Sequence, residues 1–313
     1  MNRRLVAVLL TAAVAAASCS NDNSGAANSA APDTTLGTTT STAALAKATF
    51  TVQPGTEQVA VFGATPGEDL SVNLDGAEVA TGTVDTQGSL LFRNVAAGDG
   101  YRIESATAAS DAFRIAAADE VPDPSLYTKQ QTLLPAGGFG YIVTRDGTTL
   151  GANVILPGPA DGGPYPTVVE YSGYQPSDPD SAQLAQLYTA QGFAYVGVNM
   201  RGTGCSGGSY RFFELAQSLD GYDMIEAIAA QPWVKDHQVG MVGISYPGIS
   251  QLFVAATQPP SLNSITPLSV LDDSYRSTLY PGGILNTGFA VDWTKARVER
   301  DRKSTRLNSS HRT

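Results

Sequence analysis

Residues 241–250 read MVGISYPGIS, and this stretch decides the fold. An apolar run from Val239 to Gly243 ends in Gly243-Ile244-Ser245-Tyr246-Pro247-Gly248, after which Ile249, Leu252, Phe253 and Ala256 recur at the spacing of one helical face. Strand, tight turn and helix in that order form the context in which a serine is presented as a nucleophile. Gly243 and Gly248 leave room for crowded backbone. Pro247 costs little in a first helical turn, where N–H groups have no intrahelical partner. It also breaks the strict Gly-x-Ser-x-Gly pattern. Ser245 is therefore the candidate nucleophile, and the serine needs a base.

Working outward, the apolar runs PTVVEYSGY and GFAYVGVNMRG bracket a helical stretch, DSAQLAQLYTAQ, and VGMVGIS follows the helical SLDGYDMIEAIAAQ. Strands alternating with helices predict an α/β fold with a parallel sheet covered on both faces. Active groups in such sheets lie at the carboxyl ends of strands. RDGTTLGANVILP reads as the leading antiparallel strands.

The segments GISYPG, MRGTGCSGG, QSLDGYDMIEAIAAQPWVKDHQVGMVG and RDGTTLGANVILP together resemble the Xaa-Pro dipeptidyl-peptidase and cocaine esterase family of α/β-hydrolases. The similarity runs from about Tyr141 to Arg300 and covers the N-terminal part of the family's catalytic domain. It implies an α/β-hydrolase fold, a serine that attacks an ester or amide carbonyl, a histidine base and an aspartate that orients it. It also implies an oxyanion hole, which maps onto the backbone N–H of Tyr246 and the hydroxyl of Tyr174, with Tyr171 as the rival tyrosine. Removing one such donor costs ~100 to 1000-fold in rate. Small esters, amides or Xaa-Pro peptides are the implied substrates, and no metal or organic cofactor is implied. RGTGCSGGS lacks the lysine of a phosphate loop and reads as a structural turn at a strand end.

The chain has two histidines. His237 sits before the strand Val239 to Gly243, at the opposite end from Ser245. Five residues at ~3.3 Å rise separate the two by roughly 17 Å, whereas a working pair lies within ~3 Å. His311 falls in DRKSTRLNSSHRT, a basic stretch without periodicity in an acidic chain, and Asp301 to His311 match a translated short-read sequencing adapter codon by codon. Residues 301–313 are accordingly read as an artefact, with the family's aspartate and histidine beyond them. Asp272 and Asp273 follow the strand near Ile265 to Val270, ahead of where the family places its acid. A sheet of about six strands leaves an edge unpaired, so the fragment is expected to be poorly stable and inactive.

Toward the N-terminus, Arg3 and Arg4 precede an apolar run from Leu5 to Ala17 and Cys19, which reads as an export signal over 1–19. Ala16-Ala17-Ser18-Cys19 resembles a bacterial lipoprotein signal, implying acylation of Cys19 and anchorage at the outer face of the cell membrane. Residues 20–47, rich in Ser, Thr, Ala and Asn, form a tether. Between 48 and 118, alternating stretches broken by Pro54-Gly55, Pro66-Gly67, Asp75-Gly76 and Gly98-Asp99-Gly100 predict a small β-sandwich without a catalytic cluster. The hydrolase part is expected over 128–300. A formal charge of −10 argues against nucleic acid as a partner. With Cys19 acylated, Cys205 has no disulfide partner. The expectation is a serine hydrolase; the alternative is a non-catalytic surface-binding lipoprotein with a degenerate hydrolase fold.

Overall fold

The computed structural model describes residues 45–130, 135–179 and 183–297. The export signal with Cys19, the tether up to residue 44 and the 301–313 tail with His311 lie outside the described residues. Short strands come first: β1 (Ala46–Lys47), β2 (Thr51–Pro54), β3 (Gln58–Phe62), β4 (Asp69–Leu74), β5 (Ala77–Thr83), β6 (Ser89–Arg93), β7 (Gly98–Glu104), β8 (Ala108–Ala109) and β9 (Phe113–Ile115). One sheet runs β1-β8-β7-β4-β5 with β9 on β7, and the other runs β2-β3-β6. Alternate residues Val59 and Val61, Leu70 and Val72, and Tyr101 and Ile103 share one core, as period-two strands between two layers require. Asp75 and Gly76, at φ 52° and 80°, make the two-residue turn that joins β4 to β5. Ala46 and Lys47, read above as the end of the tether, pair with Ala108 and Ala109 instead. Two residues are too few to show a period.

The second core begins ahead of residue 128. Tyr127, in the short helix α1 (Ser125–Thr128), is buried in it. The remaining strands are β10 (Gly138–Val143), β11 (Thr149–Ile155), β12 (Tyr165–Ser172), β13 (Ala194–Asn199), β14 (Val234–Ile244) and β15 (Leu262–Leu268), in the sheet order β10-β11-β13-β12-β14-β15. β10 and β11 are antiparallel; β13, β12, β14 and β15 are mutually parallel. This is the α/β-hydrolase arrangement expected from the sequence. β13 is buried at every position, as a strand covered on both faces must be.

Neighbouring residues on a strand serve opposite faces. Val168, Tyr195 and Val242 pack under α2 (Gln183–Thr189) through Ala185. Val169, Val196 and Met241 pack on the other face with Met224, Ile225 and Ile228 of α3 (Leu215–Ala229) and Val254 of α4 (Tyr246–Ala256). Gly221 lets the two helices close up: a Cβ there would sit 2.2 Å from Cγ2 of Val254. From β12 the chain moves to β13 on one side, then returns to place β14 on the other. The order therefore reverses between β12 and β14, and a crevice opens beyond their carboxyl ends. Among the described residues no helix is long and apolar enough to cross a membrane.

Candidate active site

Ser245 follows β14 directly and Tyr174 follows β12 by two residues, so the two flank the crevice at the reversal point. Ser245 has φ 66° and ψ −121°, a conformation unfavourable for a residue with a Cβ. Its surroundings impose it. The Ser245 N–H donates to Leu268 O at 2.9 Å, and its carbonyl accepts from Ile249 N–H at 2.8 Å to start α4. Gly248 lies so close to β15 that a Cβ would fall 2.4 Å from Leu268 O, and at Gly243 (φ 148°) one would fall 2.6 Å from Pro247 Cβ. Only glycine fits either position, and the serine side chain is left exposed.

Two buried polar residues fix α4 against the sheet. The Gln251 amide donates to Pro247 O at 2.9 Å, while its oxygen accepts from Thr266 N–H of β15 at 2.8 Å. Ser250 Oγ donates to Tyr171 O of β12 at 2.6 Å. The buried side of the helix thus consists of Tyr246, Pro247, Ile249, Ser250, Gln251 and Val254, whereas Leu252 and Phe253 are about 40% exposed. The apolar face expected from the sequence is corrected here. Hydrogen bonds to sheet backbone select Ser250 and Gln251 for the inside, a choice that hydropathy does not encode.

The tyrosines divide clearly. Tyr171 is 1% exposed, and its hydroxyl donates to Gln217 O of α3 at 3.0 Å, so it ties sheet to helix. Tyr174 and Ser245 both line an apolar cavity of about 210 Å³ beside the elbow. The Tyr174 hydroxyl accepts from Trp293 Nε1 at 3.0 Å, which leaves its own proton for another acceptor. Tyr246 contributes a buried ring and a first-turn N–H without an intrahelical partner. Burial pushes its hydroxyl far above the ordinary tyrosine range, and that hydroxyl lies 3.0 Å from the Tyr210 hydroxyl. Phe213 stacks on the Tyr246 ring at 4.7 Å, and Phe212 and Phe289 pack against Trp293. Among the described residues no charged side chain lines the cavity, although the Arg297 guanidinium lies 5.0 Å over the ring of Tyr174, one of its walls. Sequence reading missed this aromatic wall: Tyr210, Phe212 and Phe213 lie outside any helix or strand, and RFF is the one local signal.

His237 is not brought to Ser245. It sits inside β14, which starts earlier than expected at Val234; Asp236 and His237 both have φ above 50°. The His237 ring Nδ1 lies 2.7 Å from Ala229 O. Asp273 accepts the N–H groups of Tyr275 and Arg276, and Asp272 accepts from Ser277 Oγ. These bonds hold both carboxyls below the usual range at a surface turn. Cys205 is a free, exposed thiol, and among the described residues no group of His, Cys, Asp and Glu could hold a metal ion.

Behind the site lie two buried ion networks. Arg201, just after β13, donates from Nε to Asp220 at 2.6 Å and from both terminal nitrogens to Asp146 at 3.0 Å. Burial pushes Asp220 up to about 7, with Arg201 opposing the shift. Burial would raise Asp146 too, but Arg201 and the donors of Thr144 and Thr148 hold it below its ordinary value. One turn further along α3, Asp223 is wholly buried and receives Tyr127 and Arg145.

Comparison with known proteins adds relatives to this geometry. The family described as X-Pro dipeptidyl-peptidase (S15 family) matches residues 146–313. Cocaine esterase of a Rhodococcus strain is 30% identical over 155 residues, which cover 48% of this chain and 26% of that protein. A protein of Mycobacterium bovis named as a serine esterase is 28% identical over 185 residues, covering 52% of this chain and 29% of the relative. The chain thus spans under a third of the length of either curated relative. A crystal structure of a CocE/NonD family hydrolase from Staphylococcus aureus aligns at 25% identity with a TM-score of 0.48, covering 56% of this chain and 35% of that one.

Proposed function

Since the chain belongs to the X-Pro dipeptidyl-peptidase S15 family, we propose that Ser245 is the nucleophile of a serine hydrolase that cleaves esters or amides through an acyl-enzyme. The observation that carries this reading is the elbow: a serine in a strained conformation at the reversal point of the sheet, exposed beside an apolar cavity. Ser245 Oγ would form a bond to the acyl carbon while its proton passes to a base. The carbonyl oxygen takes up the negative charge, for which the Tyr246 N–H and the Tyr174 hydroxyl are the donors. Collapse expels the alcohol or amine with the base's proton, and water then releases the acid.

His237 does not serve as that base, because its ring is held at Ala229, at the far end of β14. The base and its aspartate come from outside the described residues, and those residues alone are expected to be hydrolytically inert. The uncharged aromatic lining supports an apolar acyl group. Among the described residues it holds no ionic partner for the free amine of an Xaa-Pro dipeptide.

The test uses protein expressed from the complete reading frame. A fluorophosphonate probe should label Ser245, and turnover of p-nitrophenyl butyrate should vanish in Ser245→Ala. Absence of labelling in folded wild-type protein would defeat the proposal and favour a non-catalytic binding protein.

A further inference from the structure

Residues 209–214, SYRFFE, leave the glycine turn after β13 and end at the residue before α3. They carry much of the aromatic wall. Tyr210 meets the Tyr246 hydroxyl, Phe213 stacks on the Tyr246 ring, and Phe212 lies 5.2 Å from the Trp293 ring. Without helix or strand of its own, the segment needs contacts at its ends to hold these rings in place.

Those contacts come from the N-terminal β layers. Arg93, the last residue of β6, donates from Nη2 to Ser209 Oγ at 3.3 Å and from Nε to Glu214 Oε2 at 3.1 Å. One guanidinium therefore grips both ends of the segment. The Arg93 and Glu214 side chains are only 26% and 13% exposed, which sets the pair apart from a solvent-screened surface contact. Glu214 stands at the N-cap of α3 with extended backbone, yet makes no side-chain capping bond. Its carboxylate is engaged by Arg93 instead. Arg93 also lies outside the family match, which begins at residue 146.

We propose that Arg93 is a positioning residue through which the N-terminal β layers set the aromatic wall of the cavity and thereby its selectivity for bulky acyl groups. The proposal rests on the hydrolase reading above. A small acyl group needs only the elbow and its donors; a longer one must also pack on Phe212 and Phe213. Loss of packing in an apolar pocket costs on the order of 10-fold per methylene or more.

The experiment compares wild type, Arg93→Ala, Arg93→Glu and the swap Arg93→Glu/Glu214→Arg, all from the complete reading frame. In Arg93→Ala and Arg93→Glu, KM for p-nitrophenyl hexanoate should rise ~10-fold, while p-nitrophenyl acetate turnover and both kcat values stay within about 2-fold. The swap should restore the hexanoate KM. Amide hydrogen exchange over 209–214 should accelerate about 10-fold in both single variants and slow again in the swap. Parallel losses on acetate and hexanoate, or unchanged exchange over 209–214, would overturn the proposal. If wild type turns over neither ester, the hydrolase reading has failed, and exchange alone then decides the clamp: faster exchange supports it and unchanged exchange ends it.

Discussion

Replacing Asp223 by Asn should destabilise the α/β part of the chain more than any single change at the surface. Asp223 is 0% exposed and accepts from the Tyr127 hydroxyl at 2.7 Å, the Arg145 backbone N–H at 2.8 Å, Arg145 Nη2 at 2.9 Å and Arg145 Nε at 3.1 Å. Arg145 donates to both carboxylate oxygens, so an asparagine in either orientation turns its NH2 toward a nitrogen donor that cannot accept. With the amide nitrogen at Oδ2 it opposes the Arg145 backbone N–H; at Oδ1 it opposes the guanidinium. The carboxylate charge disappears as well. Arg145, whose side chain is 11% exposed, then keeps Glu120 O at 3.0 Å and the face of Tyr222 at 5.2 Å, and neither bears a formal charge.

Removing one partner of a buried ion pair costs ~3–5 kcal/mol, a large part of the ~5–15 kcal/mol that holds a domain folded. At about 2–4 °C per kcal/mol for a chain of this size, the melting temperature should fall by roughly 10 °C. Thermal and urea unfolding followed by circular dichroism measure this directly. The joint replacement Arg145→Met/Asp223→Leu removes the stranded charge and should recover part of the loss, the Tyr127 hydroxyl and the backbone N–H of residue 145 being left without their acceptor. Lys47→Ala, which breaks an ion pair with side chains 76% and 81% exposed, should leave the melting temperature unchanged. Unfolding of Asp223→Asn within ~1 kcal/mol of wild type would refute the reasoning, because it would mean that the buried carboxylate is not what satisfies Arg145.

Two further outcomes are expected. Tyr174→Phe in the complete protein should lower kcat for an ester ~100 to 1000-fold with little change in KM, since a donor to the oxyanion matters only once charge develops; a loss below about 3-fold would remove Tyr174 from that role. Glu170, half-buried in β12 with the Tyr195 hydroxyl donating to it at 2.6 Å, has its carboxyl raised by burial. A raised folded value means that the folded state holds the proton more tightly, so stability falls as pH climbs above the unfolded value of ~4.3. Glu170→Gln should therefore be more stable than wild type at pH 8, and the advantage should shrink toward pH 4. A difference that is independent of pH would contradict the burial argument.

The elbow and the α/β order were legible because each rests on local pattern: an apolar strand, a serine between glycines, and a helical period after it. The parts that were not legible depend on partners distant in sequence. Asp220 and Asp223 lie in a stretch that reads correctly as a helix, but nothing local says that both are buried, because Arg201 and Arg145 come from other segments of the chain. The inward face of α4 departs from its hydropathy period for the same reason, since Gln251 is drawn inward by the backbone of Thr266. The aromatic wall carries no period because its residues lie in an irregular segment.

This division between local and distant signals follows the division of labour in the site. On the proposed hydrolase reading a nucleophile must be held to a fraction of an ångström, and Ser245 is built where backbone positions backbone: its N–H on Leu268 O, the first turn of α4 against β15 across Gly248, and Ser250 on the end of β12. Such contacts tolerate few residue types, so they leave a motif. The cavity wall is built from ring stacking and one guanidinium clamp, which many sequences could supply in other ways. On the proposed reading, change in that wall would alter which acyl group fits without moving Ser245. Ser245 is pinned to the sheet by backbone contacts while the cavity beside it hangs on an irregular segment, which is why the elbow is readable in the sequence and the wall is not.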